Sequence, residues 1–158
     1  MKERDYIESG TILPGASKAS AISLYTVMLN RFPSVSHIAP EKWDFVLTIA
    51  GIFVAISQLN YENVSHIQKE EVLDEVTRAS IGLYPDAVEA CEDCRQFVDC
   101  THDGLKEAKV EAQYLFSDSL GAWVVWNLFG EAPASQEQRE LAKALGAMIV
   151  HSFVSWWK

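Results

Sequence analysis

The sequence predicts an all-α protein, a bundle of five to seven helices around one buried helix at about residues 41–60. Three observations carry the prediction. The stretch WDFVLTIAGIFVAISQL, Trp43 to Leu59, has no charged residue between Asp44 and Glu62 and is apolar nearly all round, the pattern of a helix enclosed by others. Elsewhere apolar residues recur at three-four spacing. Period-two alternation and Asn-Gly hairpin signals are absent, and the one Asp-Gly pair, Asp103-Gly104, leads into a helical period.

In chain order, residues 1–13 are mixed and unpatterned, which predicts a loose N-terminal arm before Pro14-Gly15. Ala21, Leu24, Met28 and Phe32 then mark a helix that Pro33 ends. Pro40 and Glu41 suit the first turn of the central helix. Its uninterrupted core, Phe45 to Ile56, falls short of the roughly 20 residues a bilayer span needs. Gly51 costs about 1 kcal/mol in a helix interior, so a neighbouring helix is expected to approach closely there, at the small residues of a later helix. Ser65-x-x-Gln68 is a capping-box pattern opening a helix with Val72, Leu73 and Val76 inside and an acidic outside, closed by Gly82. Tyr84-Pro85-Asp86 opens the next, with Ala87, Val88, Cys91, Cys94 and Val98 on one side. Cys100 to Gly104 reads as a break. After it, Leu105, Ala108, Ala112, Leu115, Ser119, Ala122, Trp126 and Phe129 predict one helix of roughly 40 Å with a continuous seam. Gly130 to Ala134 is a turn, and Ser135-x-x-Gln138 caps a last helix running through Leu141, Leu145 and Ile149 to Trp156.

A chain of 158 residues fits a single helical domain, 1–158, that needs neither metal nor disulfide for stability. The net charge is −9, and Glu62 to Glu111 alone holds 13 acidic and 5 basic residues. Such a balance disfavours nucleic acid and anionic membranes, both of which call for clustered Lys and Arg. Three cysteines, an odd number, together with the polar start MKERDYIESG predict a reducing, cytoplasmic setting. In that setting the sequon Asn63-Val64-Ser65 is only a loop entering a helix cap.

Shifting the chain by 70 positions pairs Gly51 with Gly121, Leu59 with Phe129, Ser65 with Ser135 and Gln68 with Gln138, which predicts two related αα-hairpins of matching geometry. This layout resembles the TerB-like domains, acidic all-helical proteins with two such hairpins, over about half the chain. Their acidic Asp-Gly loop pattern is missing, since the corresponding stretches read NYENV and GEAPA. The resemblance implies an arrangement of helices and no activity.

Motifs that could carry chemistry are weak. Cys91-x-x-Cys94 with Cys100 and His102 has the residue types of a zinc site, but Cys100 lies half a turn round the same helix from Cys91, and the pair falls on an apolar face where free Cys packs as a small hydrophobe. Asp99-x-Thr101-x-Asp103-Gly104 imitates an EF-hand loop but has Val110 where the bidentate Glu belongs, and helix capping accounts for it. His151 is the one histidine on an apolar helix and reads as a core or interface residue. No di-iron Glu-x-x-His pair, phosphate loop or nucleophile elbow occurs, so no metal or cofactor is expected.

The leading expectation is therefore a non-enzymatic interaction or regulatory protein, of the immunity or antitoxin kind, that presents an acidic helical face to a basic protein partner. Glu70, Glu71, Asp74 and Glu75 are expected to stand together in solvent as that face. Phe153, Trp156 and Trp157 leave the last turns apolar on several sides, which predicts a second contact surface and a homodimer. The rival is a ligand- or metal-binding helical domain, enzymes included, with its site between the hairpins near His66, Cys91, Cys94 or His102.

Overall fold

The computed structural model describes residues 5–107 and 112–158. Six α-helices and one five-residue 3-10 turn make up the regular structure, with no strand among the described residues. The helices are α1 (Tyr6–Arg31), α2 (Pro40–Leu59), α3 (His66–Leu83), α4 (Ala87–Glu107), α5 (Ala112–Phe129) and α6 (Gln136–Phe153), with the 3-10 turn Pro33–His37 between α1 and α2. The chain is thus an all-α bundle, as its periodicity predicts.

At the centre stands α2. Every residue from Val46 to Ala55 is buried, because α1, α4, α5 and α6 all pack on it. Two side chains of α1's neighbourhood tie the pair together through main-chain oxygens: the Trp43 indole donates to the Ala21 carbonyl at 2.8 Å, and the Ser17 hydroxyl to the Thr48 carbonyl at 2.8 Å. Gly51 does meet a close neighbour, but not α5. A Cβ there would collide with Ser17 Oγ of α1 and with the Phe153 ring of α6.

The loose arm expected at 1–13 is not what residues 6–13 form. They are the first two turns of α1, which runs straight past Pro14. Asp5 caps the helix, its carboxylate accepting from the Ile7 and Glu8 amides at 3.0 and 3.1 Å. Proline costs about 3 kcal/mol inside a helix. Burial of Leu13 and of Pro14 itself, and the seating of α3 on this segment, offset that cost. Gly10 permits the seating, since a Cβ there would press on Val72 and Val76 at 3.2 Å.

That seating also corrects the hairpin expectation. After Asn60, α3 leaves α2 and lies mainly along α1, whereas α5 and α6 form a tight pair. The 70-residue shift survives in the boundaries, since α3 and α6 are each 18 residues long and start at corresponding positions. Ser65 and Ser135 both accept the amide three residues on at 3.1 Å. Only at Ser135 does the glutamine reciprocate. The α5–α6 contact is close because it is lined by glycine: a Cβ at Gly121 would fall inside the Ala142 carbonyl, and one at Gly146 inside the Ser117 carbonyl.

Two boundaries in the middle of the chain differ from expectation. Gly82 does not end α3, which continues to Leu83, and the left-handed glycine of the described residues is Gly130 (φ 79°), just past α5. Residues 100–104 are not a break but part of α4, so Thr101 and Asp103 neither cap a helix nor shape a calcium loop. Ala108 and Val110 lie outside the described residues, as do the side chains of His102, Leu105 and Ala112. In α5 the predicted seam holds at Leu115 and Ser119 but fails at Trp126, which is 46% exposed, because Leu120, Trp123, Val124, Val125 and Leu128 bury the helix on other sides. It is a second enclosed helix.

Candidate functional site

The departure of α3 toward α1 leaves a groove beside the C-terminal half of α2, bounded by α3 and α4 and closed at its base by α5, with a volume of about 890 Å³. Ile52, Phe53 and Ile56 of α2, Val76 of α3, Val98 of α4 and Phe116 of α5 form an apolar floor. The Phe53 and Phe116 rings stack with centroids 5.9 Å apart and make its base rigid. At one end Val88 of α4 is 47% exposed and faces the groove.

The rim is polar and mostly acidic. Along α4 it carries Glu92, Arg95, Asp99 and Asp103, and across from these stand Asn60 and Thr77. Arg95 is held between two carboxylates of its own helix, its Nε donating to Glu92 at 3.0 Å and its Nη1 to Asp99 at 3.1 Å. Hydrogen bonding from Arg95, helped by Gln96, holds the Glu92 carboxyl down to about 2. The guanidinium charge is thereby engaged within α4, and the rim as a whole stays negative.

Cys91 lines the groove half-buried, and Cys94 behind it is fully enclosed. Burial pushes the Cys91 thiol up to about 12 and raises Cys94 well above the ordinary thiol range, so neither is a thiolate nucleophile near neutral pH. Cys100 is exposed on another side of α4. Among the described residues no three His, Cys, Asp or Glu side chains gather as a metal site would need. His66 stands in solvent, 3.1 Å from Glu70, and is not part of the groove, while His151 is exposed on α6 rather than in the core.

Of the four carboxylates expected to stand together on α3, Glu70, Glu71 and Asp74 are exposed. Glu75 departs from the expectation. It accepts from Arg78 of its own helix and from the Thr11 hydroxyl of α1 (3.2 Å), and the Arg78 hydrogen bond lowers its pKa.

The C-terminal aromatic residues also differ from their expected role. Phe153 and Trp157 are buried, and Trp156 is half-buried with its indole donating to the Ser9 carbonyl at 3.0 Å. Trp157 stacks on Tyr6 at 6.2 Å. These residues close the end of the bundle against α1 and α2, so the exposed apolar patch that predicted a contact surface and homodimer at this end is not present.

Of the residues named for a site between the hairpins, Cys91 lines the groove and His66 does not, while the helices that bound it depend on which neighbour α3 packs against. Two helices, α1 and α2, are long and apolar enough to cross a membrane by length and composition, and most of the apolar window of α2 is buried among its neighbours. No family model, curated protein or solved structure matches the chain, and the TerB-like layout therefore finds no family match beside it.

Proposed function

We propose that this is a non-enzymatic cytoplasmic binding protein that engages a basic protein partner through the acidic outer surface of α3 and α4. The observation that supports it is the charge balance of that surface. Glu70, Glu71 and Asp74 on α3 and Glu89, Glu92, Asp93 and Asp99 on α4 are all exposed. Arg78 and Arg95 on the same two helices are bonded to carboxylates one turn away. A surface of one sign steers an oppositely charged partner and raises its association rate. An exposed free thiol at Cys100 suits a reducing compartment.

The test is affinity capture from a source lysate on immobilised wild-type protein and on a Glu70→Lys, Glu71→Lys, Asp74→Lys variant. The expected result is a basic protein retained by the wild type and lost from the variant. Equal capture by both would remove the acidic surface from the account.

A second reading, a binding site for a small apolar molecule, is favoured by one observation. The groove volume of about 890 Å³ falls in the range of about 300–1,000 Å³ seen for ligand pockets.

A further inference from the structure

The groove and the acidic surface share residues: Glu92 and Asp99 belong to both. We propose that the groove between α2, α3 and α4 is the docking site for an amphipathic helix of the basic partner, its apolar side chains on the floor and its lysines or arginines over the rim. This rests on the partner-binding reading above and adds to it the place of contact and the form of the partner.

Charge complementarity selects the sign. Among the described lining residues the rim holds Glu92, Asp99 and Asp103 and one cation, Arg95, which is bridged to Glu92 and Asp99. An incoming cation meets carboxylates on the α4 side throughout, while an anion meets a guanidinium whose donors are engaged.

Shape selects a helix. The lining runs along α4 from Ala87 to Asp103, which at about 1.5 Å per residue is a trough of roughly 24 Å, the length of about four helical turns. A compact molecule would occupy only part of it. The half-exposed Val88 at one end and the partly buried Ile56 and Phe116 on the floor supply the successive seats that residues at three-four spacing on one helix face require.

The experiment titrates the full-length protein at low salt with fluorescently labelled peptides of roughly 18 residues. One is a leucine–lysine peptide with leucine at three-four spacing, the second an isomer with its leucines spread round the helix, and the third a leucine–glutamate counterpart of the first. The amphipathic basic peptide is expected to bind at least about tenfold tighter than either of the others. Val88→Arg or Thr77→Arg, both at exposed groove positions whose fold is checked by circular dichroism, should weaken it by about tenfold or more. Glu70→Lys with Glu71→Lys, outside the groove, should weaken it less than either groove variant.

The reverse order, loss with the α3 variant and none with the groove variants, would overturn the groove and leave the basic-partner reading standing. Equal binding of the amphipathic peptide and its isomer would overturn helix docking. Failure of both basic peptides to bind would overturn the proposal and the basic-partner reading together. Displacement of the peptide by dodecylammonium at equal or lower concentration would assign the groove to a small cationic amphiphile and overturn the helix as its occupant.

Discussion

The indole of Trp157, the penultimate residue of the sequence, donates its N–H to the main-chain oxygen of Ala55 across 2.6 Å, in the interior of the central helix. That carbonyl belongs to a regular helix, so the indole takes its second lone pair. The ring itself is 1% exposed and covers the end of the core between α1 and α2. Trp157→Ala should therefore cost about 3–5 kcal/mol, the range for emptying a buried aromatic site, while Trp157→Phe keeps most of the ring volume and should cost closer to 1 kcal/mol for the lost hydrogen bond. Urea unfolding followed by circular dichroism measures both. Equal midpoints for Trp157→Ala and wild type would mean that the C-terminal turn is not part of the core.

Glycines divide into two kinds, and alanine substitution separates them. At Gly121 and Gly146 the added carbon meets a carbonyl of the facing helix, backbone that cannot rotate away. Gly121→Ala should destabilise on the order of 3 kcal/mol, because the overpacking exceeds the gain in helix propensity. At Gly82 nothing lies within 4 Å and the backbone is helical. Gly82→Ala should stabilise by about 0.5–1 kcal/mol by the same urea measurement.

The three thiols should react in order of exposure. With a disulfide reagent near neutral pH, Cys100 is expected to react first, Cys91 slowly, and Cys94 only as the protein unfolds. The same burial fixes a pH dependence. An unfolded Cys91 loses its proton near the ordinary thiol value of 9.0 and the folded one only at about 12, so between these values the folded state binds more protons and stability falls as pH rises. Denaturation midpoints measured above pH 9 should fall less steeply in Cys91→Ala than in wild type.

Much of the bundle was legible because its signals are local. The enclosed α2 follows from a charge-free stretch, and the Ser65 and Ser135 caps follow from a hydroxyl three residues before a glutamine. The start of α1 was missed because Pro14-Gly15 carried the weight of a boundary, whereas Asp5 caps a helix that continues through Pro14. At Cys100 to Gly104 the same weighting misled, since cap-forming residues also sit inside helices when the rest of the helix is packed, as α4 is on α2 and α5.

The walls of the groove were illegible for a different reason. It exists because α3 lies on α1, and the residue that allows this, Gly10, sits about 60 positions away from the valines it accommodates. Likewise the apolar last turn looked exposed because its covers, Tyr6, Ser9 and Ala55, come from the other end and the middle of the chain. Long-range neighbours of this kind leave no periodic trace.

The most direct test of the account is the association rate of the captured partner with wild-type protein as ionic strength is raised, measured by stopped flow beside the Glu70→Lys, Glu71→Lys, Asp74→Lys variant. Electrostatic steering predicts a wild-type rate that falls by about tenfold or more between low and near-physiological salt, and a variant that is slow throughout and nearly independent of salt. Equal rates for the two proteins at low salt, with the same dependence on ionic strength, would contradict it.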